Sequence, residues 1–157
     1  TVKDLSWIGV DIHSHLLPGI DDGSPDAKTS VEYIRTLKVL GFEKLICTPH
    51  IFKEIYPNNQ QSIHGALEVL KQELKQQQLS IEITAGAEYM LNPDFDDLLK
   101  GGEQMMLLPG QHILVEMSYI SETPNIEQYI FDLNIKGYKP ILAHPERYLF
   151  YHRNYGE

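Results

Sequence analysis

V-D-I-H-S-H-L-L-P-G-I-D-D-G, residues 10–23, decides how the rest of this sequence is read. Trp7, Ile8, Val10 and Ile12 form a short apolar run of strand type, which predicts a buried strand. The run ends in His13-Ser14-His15. On an extended chain, residues two apart point to the same side, so the two imidazoles are well placed to hold one metal ion. A Pro-Gly turn follows, and then Asp21-Asp22-Gly23, a loop able to fold an acid back toward the histidines. At this point either Asp21 or Asp22 could be that acid. Taken alone, the same residues are also compatible with a chance His-x-His followed by a plain turn.

Composition bounds the possibilities. The chain has 157 residues, 42% hydrophobic and 22% charged, ordinary for a globular protein with one sizeable core. No apolar run approaches the roughly 20 residues that cross a bilayer, so membrane insertion is not expected. The start T-V-K-D-L-S-W does not resemble a signal peptide. Acids outnumber bases 22 to 13, for a formal charge of −9, which argues against nucleic acid as partner and is compatible with acids neutralised by bound cations. Cys47 is the single cysteine, so a reducing cytoplasm is the default expectation.

Further along, helical and strand patterns alternate. Ser24-Pro25 looks like a helix cap and first residue, with Val31, Ile34, Leu37 and Leu40 at helical spacing and Gly41 as the stop. Lys44–Thr48 is a predicted strand that runs into Pro49-His50. Pro57-Asn58-Asn59 is a predicted turn. A helix is expected over 62–78 on the stripe Ala66, Leu67, Leu70 and Leu74. Its Lys71–Gln78 stretch is taken as a solvated face. Ile81–Ala87 is a third strand ending in Glu88, and Phe95–Leu99 a short helix. Ile113–Val115 is a fourth strand, ending in Glu116. Thr123-Pro124 starts a helix whose expected buried face is Ile126, Tyr129, Ile130 and Leu133, closed by Gly137. Pro140–Ala143 is the fifth strand, running into His144-Pro145-Glu146-Arg147-Tyr148.

Alternating strands and helices imply an α/β fold with a parallel sheet, in which function gathers at the C-terminal strand ends. All five predicted strands end in side chains able to bind metal: His13 with His15, His50, Glu88, Glu116 and His144. Imidazole and carboxylate donors without thiolate suit manganese, iron, zinc or cobalt, and more than four candidates imply more than one ion. Bound metals lower the pKa of a coordinated water and so supply a nucleophile. Phosphate ester hydrolysis fits such a cluster. Arg147 is a candidate for bidentate phosphate binding, with a surface ion pair as the alternative.

The remaining candidates are weaker. Cysteine-dependent phosphatases use C-x5-R, but the position matching that arginine after Cys47 is Lys53, and Cys47 lies in an apolar strand, as core residues do. His64, His112 and His152 are expected to be structural or solvated. Phe52 and Tyr56 are open between lining an aromatic pocket and ordinary packing.

D-I-H-S-H-L-L-P-G-I-D-D-G, C-T-P-H, G-A-E-Y, L-V-E-M and A-H-P-E-R-Y, in this order, resemble the polymerase-and-histidinol-phosphatase (PHP) superfamily. Within it, the sequence is similar to the CpsB/YwqE-type bacterial metal-dependent protein-tyrosine phosphatases, from about Asp11 to Tyr148. The resemblance implies a PHP-type distorted β/α barrel with parallel strands, in one domain over 1–157. It implies two to three divalent ions, manganese first, with iron, zinc, cobalt or magnesium as alternatives. It implies hydrolysis of phosphotyrosine on a bacterial tyrosine kinase of capsule or exopolysaccharide synthesis. By motif, His13 and His15 would share one ion with Glu88, Glu88 would bridge to a second held by His50 and Glu116, and Asp22 with His144 would hold the third. Arg147 would bind the phosphate.

The family's chains are longer, and a later Asp-x-His motif completes their site. No such motif follows His144 here, so the expectation is the N-terminal part of a longer barrel, incomplete at its C-terminus. Two other functions are carried forward: a non-catalytic metal-binding or regulatory module, and another PHP phosphoesterase such as a histidinol phosphatase.

Overall fold

In the computed structural model, which describes residues 4–152, the apolar periodicities fold into two compact units, Thr1–Ala87 and Glu88–Glu157. The first holds strands β1 (Val10–Ser14), β2 (Lys44–Cys47), β3 (His50–Ile51) and β4 (Glu82–Ala85), with helices α1 (Ala27–Leu40) and α2 (Gln60–Gln76). Strands β1, β2 and β4 form a parallel sheet in that order. Parallel neighbours need long crossovers, and α1 and α2 are those crossovers. Leu45 faces Ile83 in register, and Lys44 opposite Glu82 closes a cross-strand ion pair at 2.6 Å. Val31, Ile34, Leu67, Leu70 and Leu74 bury the inner faces of the two helices.

Caps set the helix limits. Asp26, not Ser24, caps α1: its carboxylate accepts from the Thr29 N–H at 2.9 Å. Ser24 is buried instead, donating to the Asp26 carbonyl at 3.0 Å. Gly41 ends α1 in the left-handed region at φ 106°, where any Cβ would lie 2.6 Å from the Ser6 backbone. Helix α2 begins two residues earlier than the periodicity predicts, because Asn59 and Ser62 form a reciprocal capping box. Lys71, Gln72, Lys75 and Gln76 are exposed on α2, as expected of a solvated face.

The apolar run before His13 behaves differently from expectation. Trp7 is 82% exposed, and Val10 and Ile12 are also exposed. β1 is the edge of its sheet, so only one neighbour covers it. Its pairing to β2 slips between Asp11 and Ser14, one extra residue on β1, which places a bulge beside His13.

The second unit holds β5 (Glu88–Met90), α3 (Pro93–Gly101), β6 (His112–Glu116), α4 (Ile126–Ile135) and β7 (Lys139–Leu142). Strands β5, β6 and β7 are parallel, with Tyr89 opposite Val115 and Leu114 opposite Ile141. The predicted strand over 81–87 is thus broken. The Gly86 N–H still follows β2, donating to the Cys47 carbonyl, and pairing ends there. Glu88 then opens β5 rather than closing a strand, a correction to the strand-end pattern.

Asn92 caps α3 through the Phe95 N–H, ahead of Pro93. Thr123-Pro124 does not cap α4: Asn125 precedes it in a left-handed conformation without a side-chain cap, and Thr123 is buried, donating to the Leu91 carbonyl. On α4 only Leu133 is fully buried. Ile130, Phe131 and Ile135 are exposed, because apolar residues occupy more than one side of the helix and only one side packs. Among the described residues, no helix is long and apolar enough to cross a membrane.

Candidate functional site

In the first unit the metal-type residues collect where β1, the loop after it and β3 meet. The His13 and His15 ring centroids are 5.5 Å apart, and His15 and His50 are 4.5 Å apart. The acid that engages His15 most closely is Asp21: Oδ2 lies 2.7 Å from Nδ1 of His15, and the Asp21 side chain is fully buried. Its Oδ1 accepts from the Gly23 N–H at 3.0 Å, and Oδ2 also accepts from the His50 N–H at 3.2 Å. Burial alone would raise the Asp21 pKa. The hydrogen bonds from His15, Gly23 and His50, with the charge of His15, outweigh burial and hold the carboxyl below its usual range.

Asp22 points elsewhere. It is mostly exposed, and its Oδ1 approaches Nε2 of His50 at 3.5 Å. His15, Asp22 and His50 offer ligand atoms within 4.8 Å of one another, the spacing of a metal-binding group. The two adjacent acids therefore divide the work: Asp22 joins a candidate ligand set, and Asp21 braces the histidine beside it. Carboxylates that orient ligand histidines are a regular feature of metal sites. The motif register of the family resemblance favours Asp22 as the ligand but says nothing of Asp21 bracing His15.

Two small residues make this loop possible. A Cβ on Gly23 would fall 2.1 Å from the His15 carbonyl oxygen, so only glycine lets the loop fold back this far. Asn58, read from sequence as part of a turn, ties the Asp21 loop to β3: its Nδ2 donates to the Ile20 carbonyl at 2.7 Å and the His50 carbonyl at 2.9 Å. Of the two aromatics left open, Tyr56 stacks on His50, with centroids 5.4 Å apart and rings 14° from parallel. Phe52 pairs its backbone with Tyr56 to close that loop.

In the second unit, Nε2 of His144 lies 2.9 Å from Glu88 Oε1 and 3.7 Å from Glu116 Oε2. Both carboxylates are buried. Two buried carboxylates and an imidazole this close together are a donor set of the kind that holds a divalent cation. His144 sits at φ 33°, a left-handed conformation uncommon for a residue with a side chain, and Pro145 follows it into a 3-10 turn, Pro145–Arg147. Arg147 is exposed and forms no ion pair among the described residues, so the surface-bridge alternative is not seen. Its guanidinium carbon lies 4.8 Å from the centre of the Tyr119 ring.

The discounted residues are where the sequence puts them. Cys47 is buried, and burial pushes its thiol up to about 12, far from a reactive thiolate. His64 is exposed on α2. His112, the first residue of β6, contacts the Pro109 carbonyl through Nδ1, and His152 contacts the Glu146 carbonyl through Nε2. The donor sets in both units are imidazole and carboxylate, which fits hard or borderline divalent metals.

Residues 9–155 match the CpsB/CapC family of capsular polysaccharide synthesis. The chain is 31% identical over 138 residues to the tyrosine-protein phosphatase YwqE of Bacillus subtilis, covering 88% of this chain and 54% of that protein. It is 26% identical to CapC of Staphylococcus aureus, named a putative tyrosine-protein phosphatase, with the same coverage. Among solved structures it matches one of those of YwqE from Bacillus subtilis and CpsB from Streptococcus pneumoniae, described as metal-dependent tyrosine phosphatases. That match has a TM-score of 0.82 and 31% identity, over 92% of this chain and 59% of the other. The chain spans about half the length of the curated relatives it matches. The α/β fold with parallel strands is therefore the PHP-type fold of those phosphatases, and the chain belongs to the CpsB/CapC family.

Proposed function

We propose that this protein is a metal-dependent protein-tyrosine phosphatase whose site is built from His13, His15, Asp22, His50, Glu88, Glu116 and His144. One observation carries the proposal: a compact His15–Asp22–His50 group in a chain whose relatives are named tyrosine phosphatases. By the family resemblance Glu88 would be shared between two ions, while the geometry groups Asp22 with His15 and His50, and His144 with Glu88 and Glu116. Two to three divalent ions, manganese first, are the proposed cofactors, held within one PHP-type domain. Bound there, they supply a water of lowered pKa and positive charge for the phosphoryl oxygens.

The chain's own residues do the rest. Asp21 fixes the His15 tautomer, so that Nε2 is the nitrogen presented for ligation. Arg147 binds the phosphate through its planar fork. The leaving group is a phenolate of pKa near 10, which departs without a strong general acid. Tyr148 is no candidate for that acid: burial pushes its phenol up to about 12, and its oxygen accepts from the Met117 N–H. The proposed substrate is phosphotyrosine on a bacterial tyrosine kinase that governs capsule or exopolysaccharide synthesis. A buried, unpaired Cys47 is in keeping with a cytoplasmic setting.

The test is hydrolysis by the full natural gene product with manganese added, offered a phosphotyrosyl peptide and histidinol phosphate in parallel. Preferred turnover of the peptide, abolished by a chelator and restored by manganese, is the expected result. Turnover of histidinol phosphate alone moves the protein to another PHP activity. Correctly folded, metal-loaded protein that turns over neither overturns the enzymatic reading.

A further inference from the structure

We propose that Tyr119 is a positioning residue that holds the Arg147 guanidinium beside His144. The proposal rests on the reading of Arg147 as the phosphate ligand. Arg147 closes the 3-10 turn after His144, with its N–H donating to the His144 carbonyl at 2.9 Å. The turn sets where the side chain starts, but a long exposed arginine needs a second hold to keep one direction. The Tyr119 ring supplies it, with the guanidinium carbon 4.8 Å from its centroid, within the range of a cation–π contact.

Tyr119 is itself braced. Its ring centroid lies 5.5 Å from that of His144 and 6.1 Å from that of Tyr148. Tyr148 is fully buried and accepts a hydrogen bond from the Met117 N–H at 3.1 Å. The chain of contacts runs from a rigid core phenol, through a half-exposed ring, to a guanidinium. A carboxylate in Tyr119's place would neutralise Arg147 and compete with the phosphate. An aromatic face steers the cation yet leaves its charge and its N–H fork available to an anion.

The experiment measures binding of inorganic phosphate to the metal-free full gene product by calorimetry, alongside KM and kcat of the manganese-loaded enzyme on a phosphotyrosyl peptide. Tyr119→Leu and Tyr119→Gln are each expected to weaken phosphate binding about two- to fivefold. KM is expected to rise by the same factor while kcat holds. Tyr119→Phe, which keeps the ring, stays near wild type. In an Arg147→Ala background, the Tyr119 substitutions should add nothing. If Arg147→Ala leaves phosphate binding and KM unchanged, the assignment of Arg147 as phosphate ligand fails. If Arg147→Ala weakens binding while both Tyr119→Leu and Tyr119→Gln match wild type, the Tyr119 proposal alone is wrong. Tyr119→Leu and Tyr119→Gln effects of equal size with and without Arg147 also overturn it.

Discussion

Nδ1 of His15 lies 2.7 Å from Oδ2 of Asp21, and the Asp21 side chain is sealed from solvent. The pair leaves Asp22, one residue on, to approach His50 from the exposed side. If Asp21 orients His15 for a metal, Asp21→Asn should cost affinity without unfolding the protein. The amide can still accept from the Gly23 N–H, but it loses the charge. A fall of about 10- to 100-fold in manganese or zinc affinity is expected, read by competition with a chelator. Unchanged affinity would remove Asp21 from the account.

Gly23 and Gly65 make a paired test of close approach. At Gly23 a Cβ would meet the His15 carbonyl oxygen at 2.1 Å, while at Gly65, on α2, nothing lies within 4 Å. Gly65→Ala should stabilise the protein by about 0.5–1 kcal/mol, because helix favours alanine over glycine. Gly23→Ala should lower the melting temperature and metal affinity together, since the loop must move off His15. A silent Gly23→Ala would show that the loop does not need its close turn.

Asp26 at the start of α1 offers a pH test away from the site. The Thr29 N–H is the main cause that holds its carboxyl below the usual value. A carboxyl whose folded pKa is depressed adds stability above its unfolded pKa, and that stability is lost as pH falls through the folded value. Asp26→Asn keeps a capping oxygen but cannot titrate. Its stability should therefore fall less steeply than wild type on acidification below about pH 4. Parallel acid limbs in urea titrations would contradict this.

Cys47 should be chemically silent. With its thiol raised to about 12 by burial, iodoacetamide should not label the folded protein up to about pH 9, yet should label it in denaturant. Cys47→Ala should retain phosphatase activity wherever it folds. Rapid labelling of the native state, or loss of turnover by a folded Cys47→Ala protein, would reopen a cysteine mechanism.

How much of this was legible without a structure differs by residue. His13 and His15 could be placed together because strand alternation is local, although the bulge in β1 could not be read. The sequence reading grouped His144 with Asp22 by family resemblance, and the contacts of His144 with Glu88 and Glu116 were not read from it. Glu88 was assigned to a strand end because Ile81, Ile83, Thr84, Ala85 and Ala87 make a mostly apolar run up to it, and the change of pairing after Gly86 depends on partners far along the chain. Asp22 was preferred over Asp21 as a ligand by motif register, but the bracing of His15 by Asp21 became visible only in the geometry of the Gly23 turn. Ser24-Pro25 and Thr123-Pro124 both looked like helix starts. The helices begin later because Asp26 offers a cap outside the buried Ser24 in one case, and Thr123 is used up by the Leu91 carbonyl in the other. Tyr119 carried no sequence signal, since one aromatic in a loop looks like any other.

The central claim is the proposed ligand set, His13, His15, Asp22, His50, Glu88, Glu116 and His144, holding more than one divalent ion as the family resemblance implies. Electron paramagnetic resonance of the manganese-loaded full gene product tests it most directly. The account expects exchange-coupled manganese signals that disappear in Glu88→Gln, where the shared ligand is lost. Six-line spectra of isolated ions in wild type at full loading, unchanged by Glu88→Gln, would contradict it.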